Sequence, residues 1–142
     1  MASYTTNLNL KKPASSDQYN VADMNGNMDT LDTAYGNLEK KTSVTVTLNQ
    51  TTVSSGSVTV TKTGRVVNVR IGVTVSGSGT LQIATFSSSY APGSSVYFIM
   101  LSGGVTSDTH NGKIGYVNSS GAISIYQCTD GSYIRGECTY IL

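Results

Sequence analysis

Few side chains in this 142-residue chain could perform acid–base or nucleophilic chemistry, and they lie apart in the sequence. After residue 41 the acids are Asp108, Asp130 and Glu137, and His110 is the only histidine. A Ser-His-Asp arrangement could use Asp108 and His110, but no nucleophile elbow or oxyanion-hole motif accompanies them. The three carboxylates would also have to supply any glycosidase pair, and all lie near turns or strand ends. We therefore predict a protein that is not an enzyme.

The sequence contains no motif for a metal or a cofactor, and we expect neither. Cys128 and Cys138 flank a turn-like TDGS and, with a single distant histidine, have no metal-ligand spacing. The glycine-rich stretches lack the helix that follows a phosphate-binding loop. We interpret the two cysteines as buried thiols, with a disulfide as the alternative.

Hydrogen bonding and aromatic contact are the chemistry that the sequence does offer. Nine tyrosines, no tryptophan and many Ser, Thr and Asn residues would suit a saccharide, although a tyrosine in a β-sheet protein can equally belong to the core. The candidate site is formed by loops and exposed strand faces and could span two protomers. Its residues are Asp108, His110, Asn111, Tyr126 and Arg135.

These residues belong to a segment, 42–142, that is patterned as β-structure throughout. In RVVNVRIGVTV the apolar residues alternate with polar ones, as in an antiparallel sheet with one wet face. About seven or eight strands separated by Gly/Ser turns predict a jelly-roll-like β-sandwich. The strand Val96–Leu101 is apolar on both faces, so it is either central within the monomer or packed against another copy of the chain.

The segment before residue 42 contains a helical pattern with a heptad seam. Residues 1–20 have no periodicity and predict an extended arm, and a helix is expected over 21–41. Gly26 and Gly36 fall outside the seam, as do the Asn and Asp residues of the helix. The spacing alone supports an assembly of two to four helices. The seam and predicted oligomer interface consists of Val21, Met24, Met28, Leu31, Tyr35 and Leu38.

Composition excludes other classes of partner. The charged fraction is 12%, the formal net charge is +1, and the cations are scattered, so we expect no nucleic-acid binding. The chain has no run of 18 apolar residues and begins with a polar segment, so we expect no membrane insertion, no signal peptide, and synthesis in the cytoplasm.

The N-terminal TTNLNLKKPASSDQYNVADMNGNMDTLDTAYG resembles the start of short tail-fibre or receptor-binding proteins of phages that infect Gram-positive bacteria. Those proteins open with a TTNxxLKKP segment, a Tyr-Asn turn and an Asn/Asp-rich helix. The β-segment is similar to their C-terminal domain in TKTGRVVNVRIGVTV, YAPGSSVYFIM, GKIGYVNSSGAISIYQ and GSYIRGECTYIL.

The resemblance implies a homotrimeric host-attachment fibre exposed on the virion. Residues 1–20 would dock on other virion proteins, 21–41 would form a trimeric coiled coil, and 42–142 would be the head that binds cell-wall saccharide or teichoic-type polymer. Two alternatives are a mainly structural virion decoration protein, such as a capsid or collar fibre, and a polysaccharide depolymerase.

Overall fold

The computed structural model describes residues 3–14, 16, 18, 20–103 and 111–142. The chain divides into two compact units, Met1–Lys40 and Lys41–Leu142. The chain is mainly β with one α-helix, α1, which covers Val21–Glu39. The described residues include no helix that is long and apolar enough to cross a membrane.

The N-terminal unit consists of a small hairpin and helix α1. Strands β1 (Ser3–Tyr4) and β2 (Lys11–Lys12) pair antiparallel. The turn between them contains Asn9 at φ 52°, a conformation that Asn tolerates better than most residues. The helix begins after Asn20, whose side-chain oxygen accepts a hydrogen bond from the Ala22 amide at 2.9 Å.

Two polar residues of the helix bind the arm of their own chain. The Asn27 side-chain oxygen accepts from the Lys11 amide at 2.9 Å, and its nitrogen donates to the Lys11 carbonyl at 2.9 Å. The Lys11 ammonium lies 2.5 Å from Asp23 Oδ2, with both side chains about one-third exposed. Within this unit, Asp23 and Asn27 thus have a local role that the heptad pattern did not indicate.

Substitution of Asn27 by Ala is expected to release the arm from the helix. Both hydrogen bonds to the Lys11 backbone are lost, at about 1 kcal/mol each, so Lys11 amide exchange should accelerate by about tenfold or more. Hydrogen exchange followed by NMR measures this. Asn25→Ala, at an exposed neighbouring position, gains the same helix propensity and is the matched control. Equal protection of the Lys11 amide in both variants would show that Asn27 does not hold the arm against the helix.

The apolar seam of α1 is exposed, and the helix buries none of its side chains. The seam residues keep between 41% and 62% of their accessible surface: Val21, Met24, Met28, Leu31, Tyr35 and Leu38. The helix face that meets the arm is instead the one that carries Asp23 and Asn27. Packing among the described residues of the N-terminal unit therefore does not account for the heptad pattern.

The C-terminal unit is one antiparallel sheet of nine strands in the order β3-β5-β6-β11-β8-β9-β10-β7-β4. Their bounds are β3 Lys41–Val44, β4 Val46–Leu48, β5 Val53–Thr63, β6 Val66–Val75, β7 Gly79–Phe86, β8 Val96–Ser102, β9 Asn111–Val117, β10 Ala122–Cys128 and β11 Tyr133–Ile141. The predicted mainly β, antiparallel character is confirmed.

The sheet curls into a nearly closed barrel. Strands β3 and β4 are separated only by Thr45, yet β3 pairs with β5 at one end of the sheet and β4 with β7 at the other. The segment therefore links both edges, which leaves little unpaired strand edge. The nine strands are thus hydrogen-bonded in one continuous order. The sequence had predicted a jelly-roll-like β-sandwich, so this part of the prediction differs from the structure.

The core is built from the inward positions of the alternating strands. In β6 every second residue from Val67 to Val75 is at most 5% exposed.

Cys128 and Cys138 are buried free thiols. This agrees with the interpretation preferred from the sequence, to which a disulfide was the alternative. Burial, with a smaller effect from the neighbouring Glu137 carboxylate, raises the pKa of Cys138 to about 11.

Candidate ligand-binding surface

The outer face of strands β5, β6, β11 and β8 carries an open groove of about 650 Å³, here called the arginine groove. Its lining combines cations, hydroxyls, one carboxylate and an aliphatic wall. The residues are Ser57, Thr59, Arg70, Ile71, Gly72, Ile99, Leu101, Tyr133, Arg135, Gly136 and Glu137.

Strand register explains why these residues meet. Ser57 and Arg135 are both paired with Gly72 on β6, and Arg135 is paired with Leu101 on β8. Arg70 lies two residues before Gly72 on β6 and therefore faces the same side. It is paired with Thr59 on β5 and with Glu137 on β11. Because Gly72 has no side chain at the centre of its row, the sheet surface is hollow there.

Arg70 and Glu137 form a loose, exposed ion pair in the groove. Arg70 Nε lies 3.5 Å from Glu137 Oε2, and both side chains are more than half exposed. Glu137 Oε1 accepts a hydrogen bond from Asn68 Nδ2 at 2.6 Å. Exposed pairs of this kind contribute little to stability. Among the described lining residues there are two cations, Arg70 and Arg135, and one carboxylate, and this excess of positive charge suits an anionic or hydroxyl-rich ligand.

Tyr133 lies across the hollow at Gly72. A Cβ placed on Gly72 would be 2.9 Å from the Tyr133 hydroxyl oxygen, and the next nearest atom belongs to the same ring. The ring therefore occupies the space that a side chain on β6 would otherwise fill.

Substitution of Gly72 by Ala is expected to displace the Tyr133 ring without unfolding the head. The new methyl meets only the far end of a side chain, so the unfolding free energy should change by less than about 1 kcal/mol. NMR signals of the Tyr133 ring and a thermal melt measure the two effects. Gly112→Ala, where a Cβ has nothing within 4 Å, should move neither. An unshifted Tyr133 ring in Gly72→Ala would show that the ring does not lie there.

A second outward feature is a row of three rings on adjacent strands, here called the tyrosine row: Tyr97, Tyr116 and Tyr126. The Tyr116 and Tyr126 rings stack with centroids 5.1 Å apart, and those of Tyr97 and Tyr116 are 5.5 Å apart and tilted. Desolvation raises the pKa of Tyr126, and the neighbouring phenols Tyr97 and Tyr116 raise it further. Because the rings pack on one another, the faces between them are occupied.

The structure distributes the predicted site residues over different places. Arg135 lines the arginine groove. Asn111 is the exposed first residue of β9 and lies opposite Ser102, in the row of the inward-facing Ile134 and not in the outward row of Leu101 and Arg135. Tyr126 belongs to the tyrosine row on β10, which β9 and β8 separate from β11. Asp108 and His110 lie outside the described residues.

Sequence reasoning missed Arg70 as a partner of Arg135. The alternation of β6 indicated that Arg70 faces outward, but only the pairing of β6 with β11 brings it beside Glu137. Among the described residues, no three His, Cys, Asp or Glu side chains are grouped to hold a metal ion.

Comparison with known proteins gives a structural likeness. No protein-family model and no curated protein sequence matches the chain. The crystal structure of the receptor binding protein (gp15) of Listeria phage PSA matches with a TM-score of 0.58 and 20% sequence identity, over 87% of this chain and 80% of that one. This chain shares its fold with a phage receptor binding protein. The resemblance drawn from sequence is thereby confirmed at the level of the fold.

Proposed function

We propose that the chain is a phage host-attachment protein, an adhesin that is exposed on the virion and binds the host surface without chemical conversion. The observation that carries the proposal is the fold shared with the Listeria phage receptor binding protein over most of both chains. Residues 1–20 would dock on other virion proteins, and the head, 42–142, would bind a cell-wall polysaccharide.

The exposed seam of α1 supports self-association, which we propose is trimeric. A 19-residue helix with two interior glycines, each costing about 1 kcal/mol relative to Ala, is marginal in isolation. Its six apolar seam residues are exposed in the single chain, although they recur with heptad spacing. Burial of this seam between helices of neighbouring copies would stabilise both the helix and the assembly.

The arginine groove supports a polymeric, polar ligand. It is open and shallow, so an extended chain can lie along it. Arg70 and Arg135 can donate to phosphate, carboxylate or sugar oxygens, while Ser57 and Thr59 offer hydroxyls to a polyol. We propose that the groove contacts the host polymer, together with Asn111 and the segment containing Asp108 and His110. Tyr126 offers at most one free ring face.

Attachment would depend on several weak contacts acting together. One shallow groove would bind weakly, but three heads on one stalk raise the local concentration of sites after the first contact forms. The helix would then act by holding the heads within reach of the same polymer surface.

Binding of the purified full chain to the cells on which the phage grows tests the proposal. We expect labelled protein to decorate those cells, to bind resistant cells much less, and to block phage adsorption when added in excess. A protein that joins the particle but neither binds cells nor blocks adsorption would be a decoration protein, and the adhesin proposal would be lost. Shortening of host polysaccharide during the incubation would overturn the claim that binding involves no catalysis.

A further inference from the structure

Strands β8 and β9 carry an outward surface that the described part of the head leaves exposed, here called the apolar face. Ile99 is 78% exposed, more than any other large apolar side chain described, and its cross-strand partner Ile114 is 51% exposed. The surface consists of the tyrosine row together with Ile99, Leu101 and Ile114. This side of β8 is the second apolar face that its sequence indicated, because Met100 and Ser102 already fill the inward one.

The chemistry of the apolar face does not suit the polymer proposed for the groove. Ile99 and Leu101 also form the aliphatic wall at the edge of the arginine groove, whereas Ile114 and the tyrosine row lie beyond the groove lining. None of the side chains of the apolar face is charged, so the part beyond the groove has no counter-ion for an anionic chain. Its tyrosines stack on one another, which leaves few ring faces for sugars. Aliphatic side chains beside tyrosines are instead typical of the centre of a protein–protein interface.

We propose that the apolar face packs against a second copy of this chain and forms the contact between heads. The inference rests on the self-association proposed for the helix. Taking about 200 Å² for each large side chain, the exposed fractions leave about 500 Å² on Tyr97, Ile99, Leu101, Ile114 and Tyr126. A free-standing complex typically buries about 800 Å² per partner, so this face is too small to hold isolated heads together.

The short connection to the helix compensates for that small area. Helix α1 ends at Glu39 and β3 begins at Lys41, so a single residue separates them. Heads joined to associated helices by so short a tether are held at millimolar or higher effective concentration. A face that is too small for free association is then sufficient, which favours a second copy as the occupant over an independent partner.

Thiol labelling of the assembled full chain tests the contact without any host component. The Ile99→Cys variant is compared with Ile141→Cys, whose position is 69% exposed and lies outside the apolar face. The native cysteines are buried, so their background reaction with maleimide is low. We expect labelling at position 99 to be at least tenfold slower than at position 141 in the assembly. The two rates should become equal when Leu31→Asp is added, or on dilution that dissociates the chain.

The possible results are distinct. If positions 99 and 141 are labelled at similar rates in a chain that light scattering shows to be oligomeric, the head contact alone is overturned. If the wild-type chain is a monomer, the self-association of the helix is overturned as well. Protection of position 99 that persists in the dissociated chain would mean that this chain covers its own face, which also overturns the proposal. Fast labelling in free assemblies that becomes slow only on host cells would assign the face to receptor binding instead.

Discussion

The Leu31→Asp variant is expected to convert the assembled chain into a 14.9 kDa monomer. Leu31 occupies the middle of the seam, 41% exposed in the single chain. In an assembly, each copy would place a carboxylate in the apolar interface beside those of its neighbours. The effective penalty is several kcal/mol for each buried ion, which exceeds what the short seam can offset. Light scattering at micromolar concentration measures the mass.

Thr33→Asp is the matched control for that substitution. Thr33 is exposed, lies two residues from Leu31 and falls outside the seam, so the same carboxylate there would remain in water. We expect this variant to keep the wild-type mass. Oligomers of equal mass in both variants would show that the seam does not hold the copies together, and loss of the oligomer in both would indicate that the effect is one of helix stability.

The Arg135→Ala variant is expected to abolish detectable attachment to host cells while leaving the fold intact. A hydrogen bond to a charged group contributes about 1.5–3 kcal/mol, so each head should lose about tenfold or more in affinity. When three heads engage together, these losses multiply, and the assembly could lose about a thousandfold. Because Arg135 is exposed on the outer face, its removal should change the melting temperature little.

Two companion variants separate a site effect from a general charge effect. Lys62→Ala removes a cation of β5 outside the groove lining and should preserve attachment, whereas Arg135→Lys keeps the charge but loses the planar fork and should bind at an intermediate level. Cell binding by flow cytometry, with a thermal melt of each variant, provides the readout. Wild-type attachment by Arg135→Ala would remove the groove from the ligand site.

The sequence predicted the local structure well because local structure depends on neighbouring residues. The alternation from Val67 to Val75 repeats every two residues, and it correctly identified which side of β6 is buried. The predicted helix, 21–41, agrees closely with Val21–Glu39, since the Asn20 cap and the heptad spacing are both local signals. The antiparallel, mainly β character of the head follows from the same one-sided alternation.

The site was harder to predict because its residues are brought together by strand order. Arg70 and Glu137 are distant in sequence, and nothing local indicates that β6 pairs with β11. Tyr126 and Arg135 are close in sequence, but β9 and β8 lie between their strands in the sheet. The hollow at Gly72 likewise depends on Ser57 and Arg135, its partners on the two neighbouring strands.

By itself the sequence determined the helix with its apolar seam, most of the strands and the buried face of β6, because periodicity fixes which side chains share a side. Only the tertiary structure decided that Lys41–Val44 and Val46–Leu48 close the two edges of one sheet, that Arg70 and Arg135 line a common groove, and that Asn27 binds the arm. These are pairings between distant parts of the chain, which depend on the packing of the whole fold and not on the spacing of neighbouring residues.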